Sequence, residues 1–256
     1  MFKEEFEAAS NGAVAKYALL KKNPGGYFVL SMLAGMYIGF GVLLAFTAGG
    51  LLSGAPATKL VMGAAFGVAL SLVVMAGGEL FTGNNMVMAA GVLKKKVTVA
   101  NAIQLWIICW LGNAAGGILL AWLYHLTGLG DGAVGAFMAS GALAKMSAAP
   151  AALLTRGILC NMLVCLAVWC GFRCKSESAK LIMIFWCLLA FFTTGFEHSV
   201  ANMTLLTVTL LRPAGEAVTV GGWFYNLALV TAGNMIGGIC LVALPYYAGT
   251  REKTSG

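Results

Sequence analysis

Two apolar stretches of this sequence are too long for one membrane-spanning helix and too short for two helices joined by a turn. Residues 60–93 form a run of 34, and residues 181–211 form a run of 31, whereas one span needs about 20 residues. Each stretch carries polar residues near its middle: Glu79 follows two glycines in the first, and Glu197 and His198 interrupt the second. Both stretches therefore predict a broken helix, whose irregular backbone is buried in protein or lines a cavity.

Four further apolar runs each have the length of one simple crossing. They are residues 27–49, 102–124, 152–172 and 222–245. Charged residues make up only 10% of the chain and hydrophobic residues 60%, against about 25% charged residues in a soluble protein. This composition excludes a disordered chain and a soluble globular domain. The sequence therefore predicts an all-α polytopic membrane protein with six transmembrane helices, two of them broken.

The basic residues lie between the apolar runs, which is typical of a bilayer protein and not of a nucleic-acid-binding surface. If the N-terminus is cytoplasmic, 12 of the 16 Lys and Arg residues fall on the cytoplasmic side. The four on the outer side are Lys59, Lys145, Arg156 and Arg212. The positive-inside rule therefore predicts a multi-pass protein of the cell (inner) membrane, with both termini in the cytoplasm and no nucleic-acid partner.

The N-terminal region has mixed charge and a helical stripe of apolar side chains. The stripe comprises Phe2, Phe6, Ala9, Ala13, Tyr17 and Leu20. This spacing is typical of an amphipathic helix, which either lies on the membrane surface or docks against a partner. We therefore divide the chain into a cytoplasmic helix (1–26), a single transmembrane domain (27–247) and a cytoplasmic tail (248–256).

The two halves of the transmembrane domain repeat. The motif GNxxGGI occurs at residues 112–118 and again 121 positions later, and Glu79 and Glu197 are 118 positions apart. The halves span about 27–124 and 152–245. Each half has three crossings, so the two halves run in opposite directions and form a 3+3 inverted repeat, which places a functional site near the membrane midplane. We interpret the glycines of the motif as helix-packing residues, and the asparagine as a side chain that ties neighbouring backbone.

Ionisable side chains within a bilayer are costly and usually functional. Because Glu79 and Glu197 are equivalent in the repeat, we expect each carboxylate to accept hydrogen bonds from backbone N–H groups freed by the break. Direct contact with a permeant is the alternative. His198 has no histidine counterpart in the first half, which favours a cavity-lining role. Lys145 precedes the fourth crossing and either folds inward or stays in solvent.

The second half-helix of each broken segment begins with polar residues. Asn84 and Asn85 are suited to begin one of them, and Asn202 is suited to begin the other. A helix N-terminus carries partial positive charge and unpaired N–H donors. Both N-termini would therefore point inward and favour an anion.

These same motifs resemble the formate–nitrite transporter family over nearly the whole chain. The resemblance is carried by residues 78–86 (GELFTGNNM), 195–203 (GFEHSVANM) and 22–24 (KNP). It implies an aquaporin-like fold, a homopentamer, and one pore through each protomer for small monovalent anions such as formate, nitrite or hydrosulphide. The polar sequence of residues 82–85 is similar to the hydrosulphide-channel branch of the family.

The resemblance also implies the residues that line the pore. The pore centre, which would bind the anion, comprises Thr82, Lys145, Asn161, Glu197 and His198. Two apolar constrictions would flank it, formed by Phe66, Leu70, Leu80, Phe81, Val164 and Phe191.

Two mechanisms are open for His198. As the one group here whose unperturbed pKa lies near neutrality, it is suited to relay a proton to a weak-acid anion. The positive field that attracts an anion instead favours a neutral imidazole that donates a hydrogen bond.

A proton- or cation-coupled carrier of short-chain carboxylates and an ammonium or neutral-solute channel are the alternative functions. The sequence carries no nucleophile–base pair, metal cluster or phosphate loop, so we expect no enzyme activity and no cofactor.

Overall fold

The computed structural model describes residues 2–250, which form ten helices. They are α1 (Lys3–Lys22), α2 (Pro24–Leu51), α3 (Thr58–Gly77), α4 (Phe81–Leu93), α5 (Val99–Thr127), α6 (Gly132–Met146), α7 (Pro150–Arg173), α8 (Glu177–Thr194), α9 (Ser199–Leu211) and α10 (Val220–Thr250). Six of these, α2, α3, α5, α7, α8 and α10, are long and apolar enough to cross a membrane. The short helices α4 and α9 continue α3 and α8, so the predicted pair of broken helices and the six crossings are confirmed.

The unbroken crossings extend a few residues beyond their predicted ends. The first begins at Pro24 rather than at residue 27, because proline suits the first turn of a helix and the Asn23 side chain accepts a hydrogen bond from the N–H of Gly26 at 2.9 Å. The last continues through a π-helical turn, Ile239–Ala243, to Thr250. The tail predicted for residues 248–256 therefore starts within α10, and residues 251–256 lie outside the described part of the chain.

Both breaks contain a glycine with left-handed backbone. Gly77 has φ +86° after a π-helical turn, Val73–Gly77, and Gly195 has φ +81° at the end of α8. A residue with a Cβ atom is strained at such angles. The glycines therefore allow each helix to stop abruptly where the second half-helix must start.

The glycines of the repeated motif bring helices into backbone contact. A Cβ atom on Gly116 of α5 would lie 1.9 Å from the carbonyl oxygen of Met32 on α2. In the second half, a Cβ atom on Gly237 of α10 would lie 2.3 Å from the carbonyl oxygen of Ile158 on α7. The α2–α5 and α7–α10 pairs are therefore equivalent contacts of the inverted repeat, and the predicted packing role of these glycines is confirmed.

The helix α1 packs on the protein's own helices. Phe6, Ala9 and Ala13 on its apolar stripe are fully buried, and a Cβ atom on Gly91 of α4 would lie 2.5 Å from that of Ala13. The stripe, which predicted a helix that lies on the membrane surface or docks against a partner, therefore faces the bundle, because α4 offers it an apolar surface of small residues.

Charged residues of α1 identify one face of the molecule. Glu7 pairs with Lys94 and Lys96 at the end of α4, and Glu5 pairs with Arg173 at the end of α7. We call this side the N-terminal face.

The helix α5 starts at the N-terminal face and ends on the opposite one. There Asp131 pairs with Arg212 at the end of α9, and Val134 packs against Gly50 at the end of α2. Therefore α9 ends and α3 starts on the opposite face from the ends of α4 and α7, and each broken segment crosses once, as predicted.

Candidate functional site: two opposed helix breaks

The second break is clamped by an asparagine from α10. Asn234 accepts a hydrogen bond from the N–H of Ser199 at 2.9 Å, and it donates to the carbonyl groups of Gly157 at 2.8 Å and Glu197 at 3.0 Å. The N–H of Glu197 donates to the carbonyl of Arg156 at 3.2 Å. These bonds satisfy backbone groups that the interrupted helix leaves without partners.

The first break has the same clamp, supplied by α5. Asn113 accepts from the N–H of Phe81 at 2.9 Å and donates to the carbonyl groups of Ser31 at 2.7 Å and Glu79 at 2.8 Å. The N–H of Glu79 donates to the carbonyl of Leu30 at 3.1 Å. The predicted role of the two motif asparagines is confirmed, and it is the same in both halves.

The carboxylates of the breaks bind side chains and not the backbone N–H groups that we expected, because the asparagine clamps already occupy the freed backbone. Each carboxylate oxygen of Glu197 accepts a hydrogen bond from Lys145 at 2.8 Å, and Oε2 accepts a third from Asn202 at 2.6 Å. Lys145 thus folds inward, but Glu197 neutralises it. The lysine and the carboxylate together therefore add no net charge to the site.

Glu79 has the equivalent partners. It pairs with Lys16 of α1 at 2.7 Å and accepts from Asn84 at 2.9 Å. The hydroxyl of Tyr27 donates to it as well, at 3.0 Å. Each buried carboxylate is thus held by one lysine and one asparagine, which offsets the desolvation of a charge at this depth.

The second half-helices begin earlier than the asparagines indicated. The N-cap of α4 is Leu80 and that of α9 is His198, whose Nδ1 accepts from the N–H of Ala201 at 3.0 Å. Histidine is not a preferred N-cap residue, so the sequence did not reveal this role. Asn84 and Asn202 lie one turn into their helices and bind the carboxylates.

His198 and Thr82 meet where the two breaks face each other. The His198 Nε2 atom lies 3.1 Å from the Thr82 hydroxyl, and the two residues are 3% and 0% exposed. The imidazole also stacks on Phe191, with 5.9 Å between ring centroids. Two of the residues predicted for the pore centre are therefore in contact, one from each half.

Asn161 supports this centre through hydrogen bonds to residues near both breaks. Its amide donates to the Thr82 carbonyl at 3.2 Å, to the Asn85 side chain at 3.0 Å and to the Asn234 carbonyl at 2.6 Å. Its side-chain oxygen has no hydrogen-bond partner among the described residues. Asn161 therefore ties α7 to both breaks.

A cavity of about 410 Å³ leads from the opposite face to His198. We call this cavity the vestibule. Its charged side chains are Lys59, Lys145, Arg156 and Glu197. The sequence did not assign Lys59 and Arg156 to the predicted site. Their only sequence signal was their place among the four basic residues on the outer side.

Apolar side chains close the path next to His198. They are Ile38, Phe66, Leu70, Leu80, Val164, Leu188 and Phe191, and the space between them has no room for a water molecule. Five of the six predicted constriction residues thus form one constriction that touches His198, and the second constriction stays a prediction. Phe81 does not line it and instead lines a lateral apolar groove beside Trp106 and Trp110, because residues 80 and 81 start a helix and point in different directions.

Within residues 2–250, no group of three or more His, Cys, Asp or Glu side chains is suited to hold a metal ion. The arrangement offers a charged vestibule, a small polar centre and an apolar constriction in series. Such an arrangement suits a selective path for a small solute and not a chemical reaction.

Comparison with known proteins places this arrangement in a family. Residues 3–248 match the family model described as "Formate/nitrite transporter". The nitrite transporter NirC of Salmonella typhimurium is 42% identical over 261 residues, covering 99% of this chain and 94% of that protein. The formate channel BtFdhC of Bacillus thuringiensis is 34% identical, covering 89% of this chain and 88% of that protein.

Solved structures agree with the sequence comparison. A structure described as an "FNT family ion channel" superposes with a TM-score of 0.93 at 39% identity, covering 98% of this chain and 100% of that chain. A pentameric formate channel with formate bound gives a TM-score of 0.79 at 28% identity, covering 89% of this chain and 98% of that chain. The chain belongs to the formate/nitrite transporter family.

Proposed function

We propose that nitrite is the preferred solute and that it passes between the two breaks of each protomer. Membership of the family makes this protein a channel or transporter for anions of the formate and nitrite type and not an enzyme. Nitrite is favoured because relatives at 42% identity from Salmonella typhimurium and Escherichia coli are nitrite transporters. His198 carries the proposal for the route, because it lines both the vestibule and the constriction and contacts Thr82 of the other break.

The hydrogen bonds of His198 favour a neutral imidazole. Its Nδ1 atom accepts from the N–H of Ala201, so in the neutral ring the proton is on Nε2, which faces Thr82. An imidazolium would carry a proton on Nδ1 as well and would lose that bond. Of the two mechanisms that the sequence left open, this geometry supports a hydrogen-bond donor over a proton relay.

The constriction then selects against a charged solute. A bare anion that leaves water for a ring of Phe, Leu and Val side chains loses several kcal/mol or more of hydration. We infer that the anion takes a proton from solution in the vestibule, crosses as the neutral weak acid, and releases the proton beyond the constriction. His198 Nε2–H and the Thr82 hydroxyl orient the solute before it enters.

Hydrosulphide is the second candidate solute. It is small, monovalent and the anion of a weak acid, and the polar residues 82–85 suggested it. The assignment to the hydrosulphide branch is not supported by the relatives, since those at 42% identity are nitrite transporters. We therefore treat hydrosulphide as a competitor to be measured against nitrite.

The same proposal covers the orientation of the protein in the membrane and its oligomeric state. The N-terminal face carries Lys94, Lys96 and Arg173, which supports a cytoplasmic N-terminal face under the positive-inside rule. The pentameric formate channel of the same family supports a homopentamer, with lipid around it.

The test is flux into proteoliposomes that contain the purified protein. Nitrite, formate and hydrosulphide would be offered separately at two pH values, with empty liposomes as the control. We expect nitrite to enter fastest, and we expect entry to increase at the lower pH because more of the solute is protonated. Entry of all three at the rate of empty liposomes would refute the proposal, and faster entry of hydrosulphide would refute the choice of nitrite.

A further inference from the structure

Two cations of the vestibule have no acidic partner. Lys59 lies in the first turn of α3, and Arg156 lies in the second turn of α7. Both side chains are exposed and line the cavity. Among the described residues, neither forms an ion pair within 4.0 Å. Both charges are therefore available to a mobile anion.

The other charged residues of the vestibule cancel. Lys145 and Glu197 form a pair at 2.8 Å with side-chain exposures of 20% and 4%. The remaining charge comes from Lys59 and Arg156, giving the vestibule a net excess of two positive charges. A cavity lined by one sign of charge, with low-dielectric walls, concentrates counter-ions.

The inverted repeat indicates that the charge of the Arg156 side chain is not needed to stabilise the break. The carbonyl of Arg156 accepts from the N–H of Glu197, and in the first half the carbonyl of Leu30 accepts from the N–H of Glu79 in the same way. The backbone contact is shared, but the cation occurs in one half only. The side chain of Arg156 is therefore an addition to the shared scaffold.

We infer that Lys59 and Arg156 form an anion-capture site at the mouth of the vestibule, which holds a small monovalent anion and delivers it to His198. The inference rests on the proposed function, since it concerns the entry of the same solute. Lys145 contributes to this site through its pair with Glu197, which keeps the inner wall neutral, and not as a free charge.

The test compares the Lys59→Gln/Arg156→Gln variant with the wild type by nitrite flux into proteoliposomes at low and high salt. At about 0.01 M salt the Debye length is roughly 30 Å, and at about 1 M it is roughly 3 Å. We expect the variant to lose roughly tenfold in flux at low salt and to match the wild type at high salt. The Lys59→Arg/Arg156→Lys variant keeps both charges and should retain wild-type flux at both salt concentrations.

The matched control is the Lys21→Gln/Lys22→Gln variant, which removes the same charge from the exposed end of α1 on the N-terminal face. It should conduct like the wild type. Wild-type flux in the vestibule variant at low salt, or an equal loss at both salt concentrations, would overturn the capture site and leave the proposed function standing. A wild-type protein that conducts no anion would overturn both.

Discussion

The two broken helices have the same scaffold but differ where they meet the solute. Each break is clamped by an asparagine, Asn113 or Asn234, and each carries a carboxylate held by a lysine. At the N-cap of the second half-helix, however, Leu80 in one half corresponds to His198 in the other. The scaffold is thus duplicated, whereas the polar centre and the capture site are not.

The two lysines come from equivalent places. Lys16 lies on α1 and Lys145 on α6, and neither helix is one of the six that are long enough to cross the membrane. Each break is therefore stabilised by the helix that precedes the first crossing of its own half. The repeat supplies stability in both halves, and we assign the function to the departures from it.

The largest expected effect comes from removing the clamps. Asn113→Ala and Asn234→Ala each remove three buried hydrogen bonds and leave two backbone groups of the break without partners, which should lower the free energy of unfolding by about 2–6 kcal/mol. Thermal unfolding in detergent measures this loss. Thr155→Ala is the control, since its hydroxyl is exposed and bonds only within α7. A small loss for either asparagine would show that the two clamps are not equivalent.

Removing the lysine of each ion pair should destabilise the two halves to different extents. Lys145→Met leaves Glu197 with only Asn202 as a donor and should destabilise the protein by about 2–4 kcal/mol, and it should reduce nitrite flux because a carboxylate then faces the vestibule unpaired. Lys16→Met should cost less, because Tyr27 still donates to Glu79.

The double variant Lys145→Met/Glu197→Gln serves as the control for the first of these changes. It removes the unpaired charge and should recover much of the stability that Lys145→Met loses. Equal losses in stability for Lys145→Met and Lys16→Met would contradict the difference between the two breaks.

The glycine contacts should behave alike in the two halves. Gly116→Ala and Gly237→Ala each force a methyl group onto a carbonyl of the neighbouring helix, which should cost about 1–3 kcal/mol. Gly171→Ala, whose Cβ atom would meet nothing within 4 Å, is the matched control. Unfolding curves that show no difference among the three would remove the basis for equivalent helix pairs.

Substitutions of His198 should distinguish its structural and functional roles. His198→Asn keeps a side chain that can cap α9, whereas His198→Phe loses the cap and about 1 kcal/mol of stability. Both remove the Nε2 donor, so both should reduce nitrite flux. Because the donor role requires no relay, the remaining flux should keep the pH response of the wild type; loss of that response would favour the relay.

The smallest effect concerns the attachment of α1 to the ends of α4 and α7. The hydrogen bond from Lys96 lowers the pKa of Glu7 below its ordinary value of 4.5. This contribution to stability is therefore present above the ordinary pKa and is lost as the pH falls through the lowered value. Glu7→Gln should reduce the drop in melting temperature between neutral and strongly acidic solution, and an unchanged drop would exclude Glu7 as its source.

Much of the fold was predictable because a bilayer restricts it. The excess length of residues 60–93 and 181–211, with polar residues at their centres, requires irregular backbone within the membrane. The positions of the breaks followed from Glu79, Glu197 and the neighbouring glycines. The precise helix starts did not, because His198 caps a helix in a way that its residue type does not indicate.

The site was predicted in part. Thr82 and His198 meet as expected, but spacing along the chain does not reveal that Lys145 and Glu197 neutralise each other, since residues 52 apart are joined only by the fold. For the same reason the role of Arg156 depends on a backbone contact that appears only in three dimensions. Phe81 lines the lateral groove and not the constriction beside His198, because its direction depends on where α4 begins.

The central claim is that the solute passes between the two breaks within one protomer. It is tested most directly by nitrite flux into proteoliposomes that carry Leu70→Trp, which fills the buried constriction beside His198. Leu129→Trp, at an exposed position in the connection after α5, is the control, and a cooperative thermal unfolding transition for each variant establishes that both are folded. We predict that Leu70→Trp reduces flux to the rate of empty liposomes while Leu129→Trp conducts like the wild type. Wild-type flux through the folded Leu70→Trp variant would show that the path lies elsewhere.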